Sequence, residues 1–172
     1  MYQTGQKVVY GAHGICTVTG LETRRFGKTK SEFYVLQPIS VPDSKYYIPA
    51  DNPTVLEKLR PLMTRQEVLD MLHSDRVRDT VWIADENQRK LRYREVIAGA
   101  DRAEILSMIC CVHRHRREQQ RLGKRLHQCD EGFLKDAQKL MNAELAHIMG
   151  LAPEEILPFI RREMGLSEES AI

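Results

Sequence analysis

Apolar and polar positions follow a period of two over the first 60 or so residues and of about 3.6 beyond them. Lys7 to Tyr10 is short and β-rich. Ile15 to Leu21 alternates Ile15, Thr17, Thr19 and Leu21 against Cys16, Val18 and Gly20, the pattern of a strand with a partly buried second face. Glu32 to Gln37 and Lys45 to Pro49 read as further strands. Turns are expected at Gly11–Gly14, in the charged stretch Arg24–Lys28 and at Pro38–Ser44. Four or five short strands joined by tight turns predict a small barrel or a strongly bent sheet with an edge open to pairing. Pro49 suits an edge or a strand end.

After Pro61 the helical period takes over. Thr64 and Glu67 have the spacing of a capping box in front of Val68, Leu69, Met71 and Leu72. A polar, basic helix is expected over about 86–98, stopped by Gly99. A second begins at Asp101, places Leu106, Ile109, Cys110 and His113 on one face, and ends at Gly123. A third is expected from Asp130 as cap to Gly150, with Phe133, Leu134, Ala137, Leu140, Met141, Leu145 and Ile148 inward. A last helix spans 154–164, with Pro153 at its first position. The stretch from Asp79 to Asp85 follows neither period and holds Trp82, the single tryptophan of the chain. The expected class is α+β. A β domain occupies 1–61, a short joint lies near 60–64, and an all-helical domain occupies 62–172.

Composition bounds this picture. Of 172 residues, 42% are hydrophobic and 29% charged, which suits a globular chain. No apolar run approaches the roughly eighteen residues of a membrane span. Met1 to Lys7 has no signal-peptide layout, and four cysteines in this length do not make a disulfide framework. A cytoplasmic protein without membrane contact is expected. The net charge of +2 excludes a uniformly basic nucleic-acid wrapper, but it is unevenly spread. Residues 76–125 carry 13 Lys/Arg against 7 Asp/Glu, whereas 126–172 carry 4 against 9. Only the first of these segments resembles a polyanion-facing surface.

Chemistry-bearing motifs are few. Nucleophile-elbow, phosphate-loop and zinc-protease patterns are absent from the sequence, and neither catalysis, a cofactor nor a small-molecule substrate is expected. His13 sits in a glycine turn. Cys111 and His115 share a helix face, and His127 and Cys129 lie further on, but no Cys-x₂₋₄-Cys pair exists. A packed helix with polar histidines is therefore expected there rather than a metal site. Two basic runs, Arg89, Lys90, Arg92 and Arg94, then Arg114 through Lys124 and Arg125, fit either solvated helix faces or phosphate contacts. Trp82 fits either a core or a stacking or wedging side chain beside those cations.

Several of these positions together resemble a known family. Gly5-Gln6-Lys7-Val8-Val9-Tyr10, His13-Gly14-Ile15-Cys16, Glu22, Phe33-Tyr34-Val35-Leu36 and Ile48-Pro49 look like the RNA-polymerase-interacting domain of CarD-type bacterial transcription regulators, a module shared with transcription-repair coupling factor. Trp82, Gly99-Ala100-Asp101, Gly123-Lys124 and Asp130 through Leu145 resemble the helical domain of the CarD-type proteins. The resemblance implies a Tudor/SH3-like β-barrel that docks on the RNA polymerase β subunit by strand pairing, at Arg24, Tyr47, Ile48 and Pro49. Tyr47 stands where the family has a basic residue. The helical domain is implied to lie on promoter DNA at the upstream edge of the bubble, with Trp82 in the minor groove and open-complex stability as its output. Directly after Trp82 come Ile83, Ala84, Asp85 and Glu86 rather than the basic residues of some branches. Charge and spacing point to Arg89, Lys90, Arg92, Arg94, Lys124 and Arg125 as phosphate contacts instead. The competing expectation is an interaction module whose helical domain meets a protein, not DNA.

Overall fold

Alternating β-formers and glycine turns build the first unit. The computed structural model describes residues 2–26 and 29–165. These fall into two units, Met1–Leu62 and Met63–Ile172. The first holds β1 (Lys7–Tyr10), β2 (Ile15–Phe26), β3 (Thr29–Pro38), β4 (Tyr46–Pro49) and β5 (Leu59–Pro61). They form one antiparallel sheet in the order β4-β3-β2-β1-β5. A 3-10 turn, Gly11–His13, joins β1 to β2. It works because Gly11 and Gly14 take φ of 45° and 78°, which L side chains resist. His13 then stacks on Tyr10 at 4.9 Å and meets Tyr46 at 4.8 Å.

One face of the sheet gathers Val8, Cys16, Val18, Tyr34, Leu36, Ile48 and Leu59 into the core of this unit. Burial pushes the Cys16 thiol up to about 11, which leaves it inert. The register slips between Val18 and Gly20, as at a β-bulge. One expectation changes. Arg24 and Arg25 lie within β2, paired with Ser31 and Lys30, not in a loop. That part of the hairpin buries little, so its polar sequence carries no strand signature. Gly27 and Lys28 of the expected turn lie outside the described residues. The hydrogen-bond pattern also leaves β4 and β5 as the two edges, so the chain has the expected α+β class, with an antiparallel five-stranded sheet ahead of the helices. A one-turn helix, α1 (Pro53–Leu56), capped by Asn52, is too short to show a period.

The second unit is helical: α2 (Arg65–His73), α3 (Asp75–Arg78), α4 (Glu86–Gly99), α5 (Arg102–Arg121), α6 (Gln128–Met149) and α7 (Ile156–Glu163). Thr64 and Glu67 close the expected capping box at α2. The core joins Val68, Leu72, Val96, Leu106, Ile109, Leu134, Met141, Leu145 and Ile156 across the helices. Gly99 is still helical. The left-handed residue that ends α4 is Ala100, with φ of 51°, held by burial of its methyl in the core. Asp130 is not a cap. His127 begins α6 one turn earlier, and Asp130 turns inward to an ion pair. Pro153–Glu155 forms a 3-10 turn ahead of α7. Among the described residues no helix is long and apolar enough to cross a membrane.

Candidate functional site

Two separate patches carry the residues singled out by sequence. The first is on β4, an edge strand. Main-chain groups alternate along an antiparallel strand. Ala50 N–H donates to Glu32 C=O at 2.8 Å, so Ile48 and Ala50 face β3, and Tyr47 and Pro49 direct their main-chain groups to the open edge. Proline lacks an N–H, and here the missing donor falls on the unpaired side. The Ile48 side chain is 2% exposed and belongs to the core, and its main-chain groups face β3 rather than the open edge.

Tyr47, opposite Val35 on β3, lies on the same sheet face as Arg24 of β2. The Arg24 guanidinium carbon lies 3.5 Å from the Tyr47 ring centroid, and Arg24 Nε and Nη2 each donate to Glu22 Oε2 at 3.4 Å. At an exposed site such a cation–π contact contributes about 0.5–1 kcal/mol. Tyr47 therefore supplies a platform that orients Arg24, where a second cation would repel it.

The second patch is the irregular segment Asp79–Asp85. Arginines from two helices hold its carbonyls. Arg114 of α5 donates to Arg78 C=O at 3.0 Å and Thr80 C=O at 3.2 Å. Arg89 of α4 donates to Ile83 C=O at 2.7 Å and Ala84 C=O at 3.3 Å. Between these anchors stand Val81, 88% exposed, and Trp82, half-buried.

The Trp82 ring is held on both sides. The His115 ring stacks at 3.6 Å and 12°, and the Arg89 guanidinium carbon lies 4.3 Å from the Trp82 centroid. Two groups this close to one centroid fit only on opposite faces. The indole is therefore sandwiched, and it offers an edge rather than a face.

Arg89 is in turn fixed by Asp130. Nε donates to Oδ1 and Nη2 to Oδ2, both at 2.9 Å, with the residues 5% and 1% exposed. The Asp130 hydrogen bonds raise the Arg89 pKa against the opposing effect of burial. The side chain expected to contact phosphate is therefore interior, bonded to Asp130 and to the Ile83 and Ala84 carbonyls beside the Trp82 ring.

The other expected cations divide. Lys90 pairs with Glu86, and Arg92 pairs with Glu104 at 3.1 Å and Glu95 at 3.7 Å. Arg94, Lys124 and Arg125 are exposed, with no ion pair among the described residues. Asp85 caps α4, accepting from Gln88 N–H at 2.8 Å. Sequence reasoning missed the roles of Arg114, His115 and Asp130.

The candidate metal ligands do not assemble as a set of four. Desolvation raises the pKa of buried Cys111, and His115 is engaged with Trp82. His127 and Cys129 meet Glu86 instead.

A family model described as the CarD-like/TRCF RID domain matches residues 2–63, the extent of the first unit. No curated protein matches the chain.

Proposed function

Taking residues 2–63 as a CarD-like/TRCF RID domain, we propose that the chain is a non-enzymatic transcription regulator that bridges the RNA polymerase β subunit and promoter DNA. The RID family is a polymerase-interaction module. The open edge of β4 suits addition of a partner strand, and Arg24, braced on Tyr47, suits an acidic partner side chain beside it.

The observation that carries the DNA reading is the anchored Val81–Trp82 tip. Four arginine-to-carbonyl bonds hold its flanks, and the indole is clamped between Arg89 and His115. A wedge already held in one rotamer loses little side-chain entropy on binding. Its edge, with Val81 beside it, enters an opened base step at the upstream end of the bubble. Such a contact exists only on distorted DNA, so it shifts the closed–open equilibrium toward the open complex. A differential of about 1–3 kcal/mol changes the open population roughly five- to hundred-fold. Arg94, Lys124 and Arg125 add phosphate contacts without reading sequence.

The test separates the two patches. Trp82→Ala shortens open-complex lifetime and leaves polymerase affinity within a factor of two. Arg24→Glu weakens polymerase binding. A protein that neither captures the β subunit nor changes promoter melting overturns the reading.

A protein partner for the helical unit is the second reading. It is favoured by the engagement of Arg89, Lys90 and Arg92 within the unit. Salt dependence decides between the two, because phosphate contacts give a log-affinity slope of about −0.9 per neutralised charge and a hydrophobic interface does not.

A further inference from the structure

Glu86, at the start of α4, meets His127 and Cys129, at the start of α6. Cys129 Sγ lies 3.7 Å from His127 Nδ1 and 3.9 Å from Glu86 Oε1, and all three donor atoms lie within 4.8 Å of one another. Around a tetrahedral zinc ion, with Zn–S of about 2.3 Å and Zn–N and Zn–O of about 2.0–2.2 Å, a sulfur sits roughly 3.5–3.6 Å from its nitrogen and oxygen neighbours. Both sulfur edges of the triangle are within a few tenths of an ångström of that geometry. The nitrogen–oxygen edge has further to close, and the exposed His127 ring is free to close it.

We propose that Glu86, His127 and Cys129 bind one zinc ion, with water at the fourth position. Thiolate, imidazole and carboxylate together suit borderline Zn²⁺ better than the hard cations Mg²⁺ or Ca²⁺. Binding releases the Cys129 thiol proton to solvent, and the metal takes its place between sulfur and carboxylate. Lys90 is the competitor. Its ammonium holds Glu86 and, with the resulting ion pair, lowers the carboxylate pKa. The zinc ion displaces it from the shared oxygen.

The location gives the site a consequence. Glu86 is three residues before Arg89, and Cys129 is adjacent to Asp130. The metal therefore pins together the two helix starts whose ion pair braces Trp82. This inference is independent of what the RID domain binds.

The experiment uses the full chain purified without chelator, titrated with Co²⁺ and then with Zn²⁺. A single equivalent of Co²⁺ is expected to give thiolate-to-metal charge-transfer absorption and the intense visible bands of tetrahedral cobalt, both bleached by Zn²⁺. Outer-shell substitutions already cost about 10–100-fold in metal affinity. Cys129→Ser, His127→Ala and Glu86→Gln each remove a ligand, so each should cost at least about a hundred-fold. Cys111→Ser leaves binding unchanged, and Lys90→Gln tightens it. Zn²⁺ should also protect Cys129 of the unsubstituted protein from alkylation, read by mass spectrometry, which needs no variant to fold. Absence of the cobalt bands, affinity retained within a few-fold in Glu86→Gln and His127→Ala, or no protection of Cys129 overturns the proposal.

Discussion

Replacing Asp130 by Asn tests the idea that one buried ion pair holds the tryptophan tip. The amide keeps the shape of the carboxylate but removes its charge, leaving the Arg89 guanidinium 5% exposed with no counter-ion. Breaking a buried pair from one side costs about 3–5 kcal/mol. At a urea dependence of about 2 kcal/mol per molar, this lowers the unfolding midpoint by roughly 2 M. Trp82 is the only tryptophan, so its emission reports the helical unit alone, whatever the β unit does.

The double variant Arg89→Met with Asp130→Leu separates stability from positioning. Removing both charges of a buried pair is often near neutral for stability. It nevertheless strips the donors from Ile83 and Ala84 and one face from Trp82. Its urea midpoint should return close to the parent value, while acrylamide quenching of Trp82 rises and the open-complex effect is lost. A cost below about 1 kcal/mol for Asp130→Asn, against the 3–5 expected of a buried pair, would falsify the reasoning. So would a double variant as unstable as the single one, or one with unchanged quenching.

Three further outcomes follow from the same geometry. His113 is 7% exposed, accepts from Gln138 Nε2 at 2.9 Å, and is pushed by burial down to about 4. The unfolded imidazole binds its proton near 6.5, so stability is intact above that pH and falls by about 3 kcal/mol as pH drops from 6.5 toward 4. Urea midpoints at pH 7.5 and 4.5 should differ accordingly, and His113→Leu should flatten this slope. Tyr47→Ala removes the platform under Arg24 and should weaken polymerase binding about two- to five-fold by a pull-down titration, corresponding to 0.5–1 kcal/mol; unchanged affinity refutes the bracing role. For fork DNA, a log–log salt slope between about −2 and −4 is expected from the few unpaired exposed cations, and Arg94→Ala should reduce its magnitude by about one.

The inward faces of the long helices were legible because burial imposes a period. Leu106, Ile109, Leu134, Ala137, Met141 and Leu145 all reach the core. The tryptophan segment was legible as an exception to both periods. Its support was less so. Charge and spacing point to Arg89 as a phosphate contact, and Asp130 has the position of a cap because an acid before an apolar run has cap chemistry. Yet both head inward stripes. Arg89, Tyr93, Val96 and Ala100 are buried along one face of α4 and its end. Asp130, Leu134, Ala137 and Met141 are buried along one face of α6. Opposite charges at the heads of two apolar stripes are the sequence signature of a buried pair, but joining them means linking positions 41 residues apart, which local rules do not do. Arg24 and Arg25 read as a loop for the opposite reason, since strand ends that bury little leave no apolar alternation to read.

The excess of basic residues in 76–125 has two destinations, and this bears on the proposed DNA contact of the helical unit. The buried Arg89 and the exposed Arg114 both donate to carbonyls around Trp82, and Arg76, Lys90, Arg92 and Arg116 are paired with carboxylates. Among the described residues, Arg94, Arg121, Lys124 and Arg125 of this segment have no such partner. So few counterion-releasing contacts give weak, salt-sensitive affinity by themselves. A second anchor changes that, because binding next to an already docked domain is intramolecular, at an effective concentration up to the millimolar range for a short linker. The two units follow each other directly at Leu62 and Met63. On the proposed function the arginines act mainly to hold one wedge in shape, and a docked β-sheet unit would supply the affinity that so few unpaired cations do not.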